Sequence, residues 1–222
     1  MLANRDTMSR KIRSFVRREG RVTARQQRAM ETLWARYVID LHPKLVLTDI
    51  FTEGPTTLEI GFGMGASLVE MAKQYPDINF LGVEVHRPGV ASLIADLDEQ
   101  GSDNVRVICD DVVEVLHQAI PDASLERILI LFPDPWPKKR HHKRRLVQVE
   151  FIENLVQKLK PGGILHLATD WMHYTEHMIE VISKISTLEQ VPNEMDPRPM
   201  TKFEKRGIRL GHEVTDLVYV RR

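Results

Sequence analysis

The stretch Leu58-Glu59-Ile60-Gly61-Phe62-Gly63-Met64-Gly65-Ala66-Ser67 joins a short apolar run to the start of a helical pattern. Glycines at such a point let the backbone turn tightly and approach a ligand, and the following helix presents unpaired N–H groups. Glu84 ends the next strand-like run, 19 residues after Gly65, where a carboxylate can accept both hydroxyls of a ribose. Turn, strand and acid together predict a nucleotide site.

Outward from this turn, short apolar runs alternate with helical patterns along most of the chain. Because parallel neighbouring strands need crossover helices, this alternation predicts an α/β fold: a single doubly wound, Rossmann-like domain over residues 23–222. We expect a mostly parallel sheet of about seven strands with helices on both faces. The predicted strands are residues 57–60, 80–85, 105–109, 128–132, 164–169, 188–191 and 214–220.

Two other regions carry specific expectations. An apolar stripe at helical spacing predicts a first helix that Thr23 caps and that His42-Pro43 ends. Residues 192–211, which contain several prolines, are predicted to be irregular.

The composition restricts the class of protein. The chain has 222 residues, 42% of them hydrophobic, and no apolar run long enough to cross a bilayer. Its single cysteine, Cys109, excludes an intramolecular disulfide and fits a reducing compartment. No spaced Cys/His set is present, so we expect no metal site. These features predict a cytoplasmic protein without membrane or metal.

The net charge of +0 conceals an uneven distribution. Residues 1–28 hold nine Lys/Arg against two acids, whereas residues 29–137 hold six Lys/Arg against eighteen Asp/Glu. Residues 138–145 then add six Lys/Arg and two His. Phosphate binding depends on local potential, so a neutral total does not exclude it. Residues 1–22 are predicted to form a flexible basic arm, with a mitochondrial presequence as the open alternative.

A second unusual stretch runs from Leu129 to Arg145. Residues 129–132 are typical of a buried strand, and three prolines in the next five residues forbid regular structure. They hold Asp134 directly beyond the carboxyl end of that strand. Trp136 and the cationic run at 138–145 follow. A fixed carboxylate, an aromatic ring and clustered cations predict chemistry on an anionic, planar substrate such as nucleic acid.

The glycine turn by itself leaves two nucleotide classes open. Gly61, Gly63 and Ala66 satisfy the dinucleotide fingerprint, whereas Gly61, Gly63 and Gly65 suit an S-adenosylmethionine-dependent methyltransferase.

Additional carboxylates favour the methyltransferase. Glu59 precedes the turn and Asp110-Asp111 follow the third strand. Such acids would repel a pyrophosphate and attract a sulfonium with an amino-acid tail. For Asp111 two interpretations stay open, since it could hold an adenine amino group or cap the helix that starts near Val112.

Four blocks of this sequence resemble the bacterial tRNA (guanine-N7-)-methyltransferase family. They are residues 58–67 with Glu84, residues 132–145, Ala168-Thr169-Asp170-Trp171, and residues 201–207. The block around Asp134 is more specific than any glycine-rich turn. The resemblance implies a class I methyltransferase domain that uses S-adenosylmethionine to methylate N7 of guanosine 46 in the tRNA variable loop.

The same resemblance implies roles for individual residues. Asp134 would be catalytic. The cofactor contacts would be Glu59, Gly61, Gly63, Gly65, Glu84, Asp111 and Asp134. The substrate contacts would be Lys138, Arg140, His141, His142, Lys143, Arg144, Arg145, Asp170, Thr201, Lys202, Phe203 and Glu204. A monomer is slightly favoured over a homodimer.

The chemistry of guanine N7 limits what Asp134 has to do. N7 already carries a lone pair and no proton, so no general base is needed to create the nucleophile. We expect Asp134 to orient the base or to stabilise the positive charge that moves onto the purine. Trp136 stays open between stacking on the base and packing under its own proline turn.

The sequence leaves two rival functions open. A nicotinamide-dependent oxidoreductase rests on Gly61, Gly63 and Ala66 alone and leaves the cationic run unexplained. A non-catalytic RNA-binding protein on the same scaffold would have no use for Glu59, Glu84 and Asp111 together.

Overall fold

In a computed structural model, residues 20–41, 46–51 and 53–222 are described, without the side chain of Phe203. The strands are β1 (Thr56–Ile60), β2 (Asn79–Val83), β3 (Val105–Ile108), β4 (Leu125–Leu131), β5 (Leu159–Thr169), β6 (Leu188–Val191) and β7 (Thr215–Arg221). The helices are α1 (Ala24–Thr32), α2 (Trp34–Tyr37), α3 (Leu47–Ile50), α4 (Ala66–Gln74), α5 (Arg87–Gln100), α6 (Val112–Gln118), α7 (Val149–Lys158), α8 (Met172–Ile182) and α9 (Lys202–Arg209). Short 3-10 segments cover Lys139–Arg144 and Asn193–Met195.

The seven described strands form one sheet in the order β3-β2-β1-β4-β5-β7-β6. All neighbouring pairs among β1 to β5 are parallel, whereas β7 runs antiparallel to both of its neighbours, β5 and β6. This confirms the predicted α/β fold with a mostly parallel sheet. The strand order reverses between β1 and β4, which is where open sheets of this kind bind ligands at the strands' carboxyl ends.

Each face of the sheet is covered by its own apolar layer. On one face Leu58, Ile130 and Leu165 pack with residues of α6, α7 and α8. On the other face Phe80 and Leu129 pack with α4 and α5. Strands buried on both faces need nearly continuous apolar runs, which is why the sequence shows short runs rather than alternation.

The structure corrects two predictions about helices. The first helical stripe is divided at Leu33 into α1 and α2, and α2 ends at Tyr37, before the predicted end at His42-Pro43, because Val38 is extended and pairs with Val107. Residues 192–211 were expected to be irregular, yet they contain the eight-residue helix α9. A capping box of Thr201 and Glu204 starts that helix. The pattern Thr-x-x-Glu in the sequence was the signal that would have found it.

The predicted basic arm at residues 1–22 is covered by the structure only from Gly20 onward, so its order stays a prediction. Among the described helices, none combines the length and the apolar character needed to span a membrane.

Candidate active site

A cavity of about 230 Å³ opens at the carboxyl ends of β1, β2 and β4. Its walls include Gly61, Gly63, Glu84, Asp110, Asp111 and Asp134. The strand order reverses at this point, so the cavity lies where the fold predicts a ligand. A larger cavity of about 700 Å³ lies at the amino ends of β1 and β2 and contains no predicted site residue.

The glycine turn is built from left-handed backbone. Gly61, Gly63 and Gly65 have φ angles of 73°, 61° and 80°, which side chains with a Cβ rarely adopt. Gly61 N donates to Val83 O at 2.8 Å and thereby ties the turn to β2. A Cβ on Gly65 would lie 2.6 Å from Leu93 Cδ1, so α5 also packs tightly under this turn.

Glu84 is held rigidly on the cavity wall. Its Oε2 accepts from Gly63 N at 2.9 Å, and its Oε1 accepts from Val85 N at 2.8 Å and His86 N at 3.0 Å. A carboxylate has about four lone-pair positions, so Glu84 retains acceptor capacity toward the cavity. This arrangement suits the ribose role predicted from its spacing.

Asp111 caps α6, as one of its two interpretations predicts, and is still placed to contact a ligand, as the other predicts. Its Oδ1 accepts from Val113 N at 3.1 Å and caps α6. The adjacent Asp110 accepts from Asp111 N through its Oδ1 at 2.7 Å. Both aspartates also line the cavity, so capping and ligand contact are compatible.

Glu59 is buried beneath the turn, with 1% of its surface exposed. Its Oε1 accepts from Ser67 Oγ at 3.1 Å, whereas its Oε2 has no hydrogen-bond partner within the described part of the chain. Loss of hydration on burial raises the pKa of Glu59 to about 7. A buried acceptor without a donor fits a ligand that brings an N–H group to it.

Asp134 projects into the same cavity from a strained turn. Phe132 and Trp136 on either side have positive φ angles of 54° and 45°. Phe132 N donates to Ala168 O at 2.8 Å, which fixes the start of the turn on β5. Strain of this kind is concentrated at functional sites because the surrounding structure must maintain it. Asp134 is exposed and lines the same cavity as Gly61 and Gly63 of the glycine turn.

The cationic run begins directly after this turn. The 3-10 segment Lys139–Arg144 has no fully buried residue. Its Arg144 guanidinium lies 5.1 Å from the centroid of the Trp136 ring, and the His141 ring meets Trp136 edge-on at 5.7 Å. Trp136 therefore packs against its own cationic segment, which favours the packing interpretation on that side of the ring.

Arg145 departs from the role that the resemblance implies. Only 3% of it is exposed, and it donates to Pro135 O at 3.0 Å and to His173 O at 3.2 Å. Its guanidinium also lies 4.8 Å from the centroid of the Tyr174 ring. Arg145 is turned into the protein and clamps the proline turn to α8, so it is unsuited to lie on RNA.

Asp170 lines a second cavity, of about 330 Å³, together with Trp171, His212, Glu213 and Thr215. Its Oδ2 accepts from His212 Nδ1 at 3.0 Å. Asp134 follows β4 and Asp170 follows the adjacent β5, yet the two carboxylates line separate cavities. Trp171 lines the cavity of Asp170 and packs partly buried against the core.

Thr201 and Glu204 use their polar atoms within the protein. Thr201 Oγ1 accepts from Glu204 N at 3.1 Å, and Glu204 Oε2 accepts from Thr201 N at 3.3 Å. Glu204 Oε2 also accepts from Arg198 Nη1 at 2.6 Å. Both residues cap α9, and their contact with substrate stays a prediction. Lys202 beside them is exposed, and the side chain of Phe203 is outside the description.

Sequence reasoning missed a buried group of charges next to this helix. His166 bonds to both Asp196 and Asp216, which in turn hold Arg127 and Arg198. These residues are far apart in the chain and form no motif. No set of three or more His, Cys, Asp or Glu in the described ranges is arranged to hold a metal ion.

The fold is shared with S-adenosylmethionine-dependent methyltransferases of class I. A SAM-dependent methyltransferase from Aquifex aeolicus aligns with a TM-score of 0.52 and 14% identity, over 79% of this chain and 87% of that one. The aminoglycoside resistance methyltransferase NpmB1 aligns with a TM-score of 0.54 and 14% identity, over 81% and 95%. At such identities the likeness establishes the fold alone.

Sequence comparison establishes the family. Residues 53–217 match a family model described as "Putative methyltransferase". The tRNA (guanine-N(7)-)-methyltransferases of Shewanella amazonensis and Aeromonas hydrophila are each 54% identical over 221 residues, covering 96% of this chain and 92% and 93% of theirs. The enzyme of that name from Salmonella typhimurium is 52% identical over 220 residues, covering 96% and 92%. This chain belongs to the tRNA (guanine-N(7)-)-methyltransferase family, as its sequence blocks predicted.

A substitution in α5 tests whether the shape of the glycine turn makes the cavity. A Cβ on Gly89 would lie 2.1 Å from Gly63 O, a backbone atom that cannot move aside cheaply. We expect Gly89→Ala to destabilise the protein by about 1–3 kcal/mol and to weaken ligand binding. Gly20→Ala is the control, because nothing lies within 4 Å of its Cβ position. Thermal unfolding measures the stability of both variants. Equal melting temperatures for Gly89→Ala and Gly20→Ala would contradict the close packing of Gly89 on Gly63.

Proposed function

We propose that this protein transfers a methyl group from S-adenosylmethionine to N7 of guanosine 46 in the tRNA variable loop. One observation carries the proposal: Asp134 lines the same cavity as the glycine turn and is followed directly by exposed cations. The relatives described above are named for methylation of tRNA guanine at N7, which supplies the substrate class. The dinucleotide alternative has no such support.

The residues around the cavity fit the cofactor, which supplies an electrophilic methyl group on a sulfonium when bound. Glu84 would accept from the ribose hydroxyls and Asp111 from the adenine amino group. Glu59 Oε2, buried without a donor, would accept from the amino group of the methionine part. The positive φ angles of Gly61 and Gly63 allow the backbone to approach these groups closely.

The protein's part in the reaction is mainly positioning. Guanine N7 brings its own lone pair, so the chain has to align the base in the cavity and exclude water. Alignment of this kind can contribute roughly 7–11 kcal/mol to lowering the barrier. Asp134, fixed between two strained residues, would hold the base and stabilise the positive charge that develops on it.

The tRNA would lie on the cations that follow Asp134. Lys138, Lys139, Arg140 and Lys143 are exposed, and Arg144 is partly exposed beside Trp136. N7 lies in the deep groove of an RNA helix, so a base in a loop is the accessible target. Asp170, oriented by His212, would contact the substrate from the neighbouring cavity.

Location and assembly complete the proposal. An enzyme of this class that acts on bacterial tRNA would work in the cytoplasm. The protein would act as a monomer, the state that the sequence slightly favours over a homodimer. Light scattering at micromolar concentration would test this.

Removal of the Asp134 charge tests the reaction directly. We expect Asp134→Asn to lower methyl transfer to tRNA by about 10²–10³-fold, because a fixed charge at the reacting base is lost. Asp77→Asn is the control, since Asp77 is exposed and lies outside the cavity. Nucleoside mass spectrometry would quantify 7-methylguanosine. If the wild-type protein forms no 7-methylguanosine, the proposed function is refuted. Full activity in Asp134→Asn would show that the Asp134 charge has no part in the reaction.

The pKa of Glu59 gives a second test. Because that pKa is raised to about 7, the carboxyl is protonated below neutrality and gains a negative charge, which attracts a cationic amino group, as pH rises. We expect S-adenosylmethionine affinity to increase as pH is raised through neutrality and to be independent of pH in Glu59→Gln. Calorimetric titration measures this, and a flat wild-type profile would place the cofactor's amino group elsewhere.

The RNA surface is tested by salt dependence. Replacing Lys139, Arg140 and Lys143 together with Gln should reduce the slope of log affinity against log salt by about three, one for each lost phosphate contact. Lys73→Gln is the control, because Lys73 lies in the last turn of α4, away from the cavity rim. An unchanged slope in the triple variant would move the RNA to another surface.

A further inference from the structure

His166 lies in the middle of β5 with 2% of its surface exposed. Its Nδ1 is 2.7 Å from Asp196 Oδ2, and its Nε2 is 2.6 Å from Asp216 Oδ1. An ionised carboxylate only accepts hydrogen bonds, so both ring nitrogens have to donate. A neutral imidazole has one N–H and would direct a lone pair at one of the two carboxylates. The geometry therefore fits an imidazolium.

The two carboxylates continue into a wider set of charges. Asp196 Oδ2 accepts from Arg127 Nε at 2.8 Å. Asp216 accepts from Arg198 Nε at 2.7 Å and from its Nη2 at 3.0 Å. Arg198 Nη1 donates to Glu204 at 2.6 Å. We call this set the charge layer; its members are Arg127, His166, Asp196, Arg198, Glu204 and Asp216.

The charge layer is electrically balanced only when His166 is protonated. Three cations then face three anions, and a neutral His166 would leave one buried negative charge uncompensated. Such a charge is costly in a poorly solvated setting. Burial alone would lower the pKa of His166, but the hydrogen bonds and charges of Asp196 and Asp216 outweigh it and raise that pKa. Although burial opposes it, His166 and Arg198 hold the pKa of Asp216 below its usual value.

The charges of the layer come from several elements. Arg127 comes from β4, Asp216 from β7 and Glu204 from α9, while Asp196 and Arg198 belong to the connection between β6 and α9. Glu59 of β1 lies in the same row across the sheet, through the pairs Glu59↔Leu129 and Leu129↔His166. The layer lies beside α4 on this face of the sheet, where Arg127 Nη1 reaches Met71 Sδ at 4.0 Å, and it attaches residues 196–204 to the strands.

One helix connects the charge layer to the second cavity. Glu204 belongs to the layer and also caps α9 with Thr201. Further along α9, Gly207 packs so closely on Asp170 that a Cβ there would lie 2.9 Å from Asp170 Oδ2. His212 follows the helix and donates to the same carboxylate at 3.0 Å. The position of Asp170 thus depends on where α9 is held.

We propose that His166 is a positioning residue for the methyl transfer: as an imidazolium it fixes the charge layer, which holds α9 and thereby sets Asp170 at the substrate cavity. This inference rests on the proposed function for its kinetic test, and hydrogen exchange tests it separately. His166 itself lies away from the reacting atoms and acts through Asp196, Asp216 and α9.

The first experiment compares His166→Gln with wild-type protein. We expect kcat/KM for tRNA to fall by about tenfold, mainly through a higher KM, because an uncompensated buried charge loosens α9. The dissociation constant of S-adenosylmethionine should stay unchanged, since no member of the layer lines the cofactor cavity. His177→Gln is the matched control: His177 is a half-buried histidine whose Nε2 lies 2.8 Å from Val147 O, outside the layer.

A second substitution separates charge from packing. His166→Gln with Asp196→Asn removes one cation and one anion, so the layer is again balanced. We expect this double variant to recover most of the kcat/KM that His166→Gln loses. A purely structural role for the imidazole ring predicts that the second substitution makes the loss larger, and that result would overturn the inference.

The pH profile supplies a readout that packing alone would not move. His166 has a raised pKa in the folded protein, so its contribution is complete at low pH and is lost as pH rises through that pKa. We expect kcat/KM for tRNA to decline over this range in wild-type protein and in His177→Gln. The decline should be absent in His166→Gln. An identical alkaline decline in all three proteins would refute the assignment.

Hydrogen exchange tests the attachment of α9 without any methylation assay. At one fixed pH, His166→Gln should speed amide exchange in residues 201–211 by about tenfold and leave β1 to β3 unchanged. Equal exchange in both proteins would overturn the inference even if tRNA is methylated. If wild-type protein forms no 7-methylguanosine, the proposed function fails, while faster exchange in the variant still supports the role of His166.

Discussion

The parallel pairing of β4 between β1 and β5 is the constraint on which the site depends. Because the three strands run the same way, their chains leave the sheet at one edge. The glycine turn after β1 and the proline turn after β4 therefore meet without any direct sequence relation. The hydrogen bond from Phe132 N to Ala168 O extends this pairing one residue beyond β4, into the turn that carries Asp134.

The proline turn is kept in a costly conformation from both sides. Left-handed backbone at residues such as Phe132 and Trp136 costs about 1–3 kcal/mol each. Pairing with β5 fixes the start of the turn, and Arg145 fixes its later part by donating to Pro135 O and His173 O. Arg145 therefore supports the site by burying its charge against carbonyl groups instead of presenting it to RNA. The stiffness of the turn gives Asp134 one defined direction.

Electrostatics divides the molecule into three regions that a net charge of +0 conceals. Acidic groups surround the cavity, and exposed cations follow Asp134 along the rim. Between β5 and α9 lies the buried charge layer, where each ion has an opposite partner. An arrangement of this kind keeps a cationic cofactor and an anionic polynucleotide on adjacent surfaces. It also uses paired charges to attach residues 196–204 to the sheet.

The sequence by itself determined the features that depend on local chemistry. It predicted the alternation of strands and helices, the tight glycine turn and the acid after β2, because backbone geometry and side-chain periodicity are set by near neighbours. It also identified the family, since the block around Asp134 is more specific than any glycine-rich turn. The tertiary structure alone decided that Arg145 is buried, that Arg198 bridges Glu204 and Asp216, and that His166 joins two aspartates 30 and 50 residues away. These roles arise from contacts through space, for which the chain order carries no periodic signal.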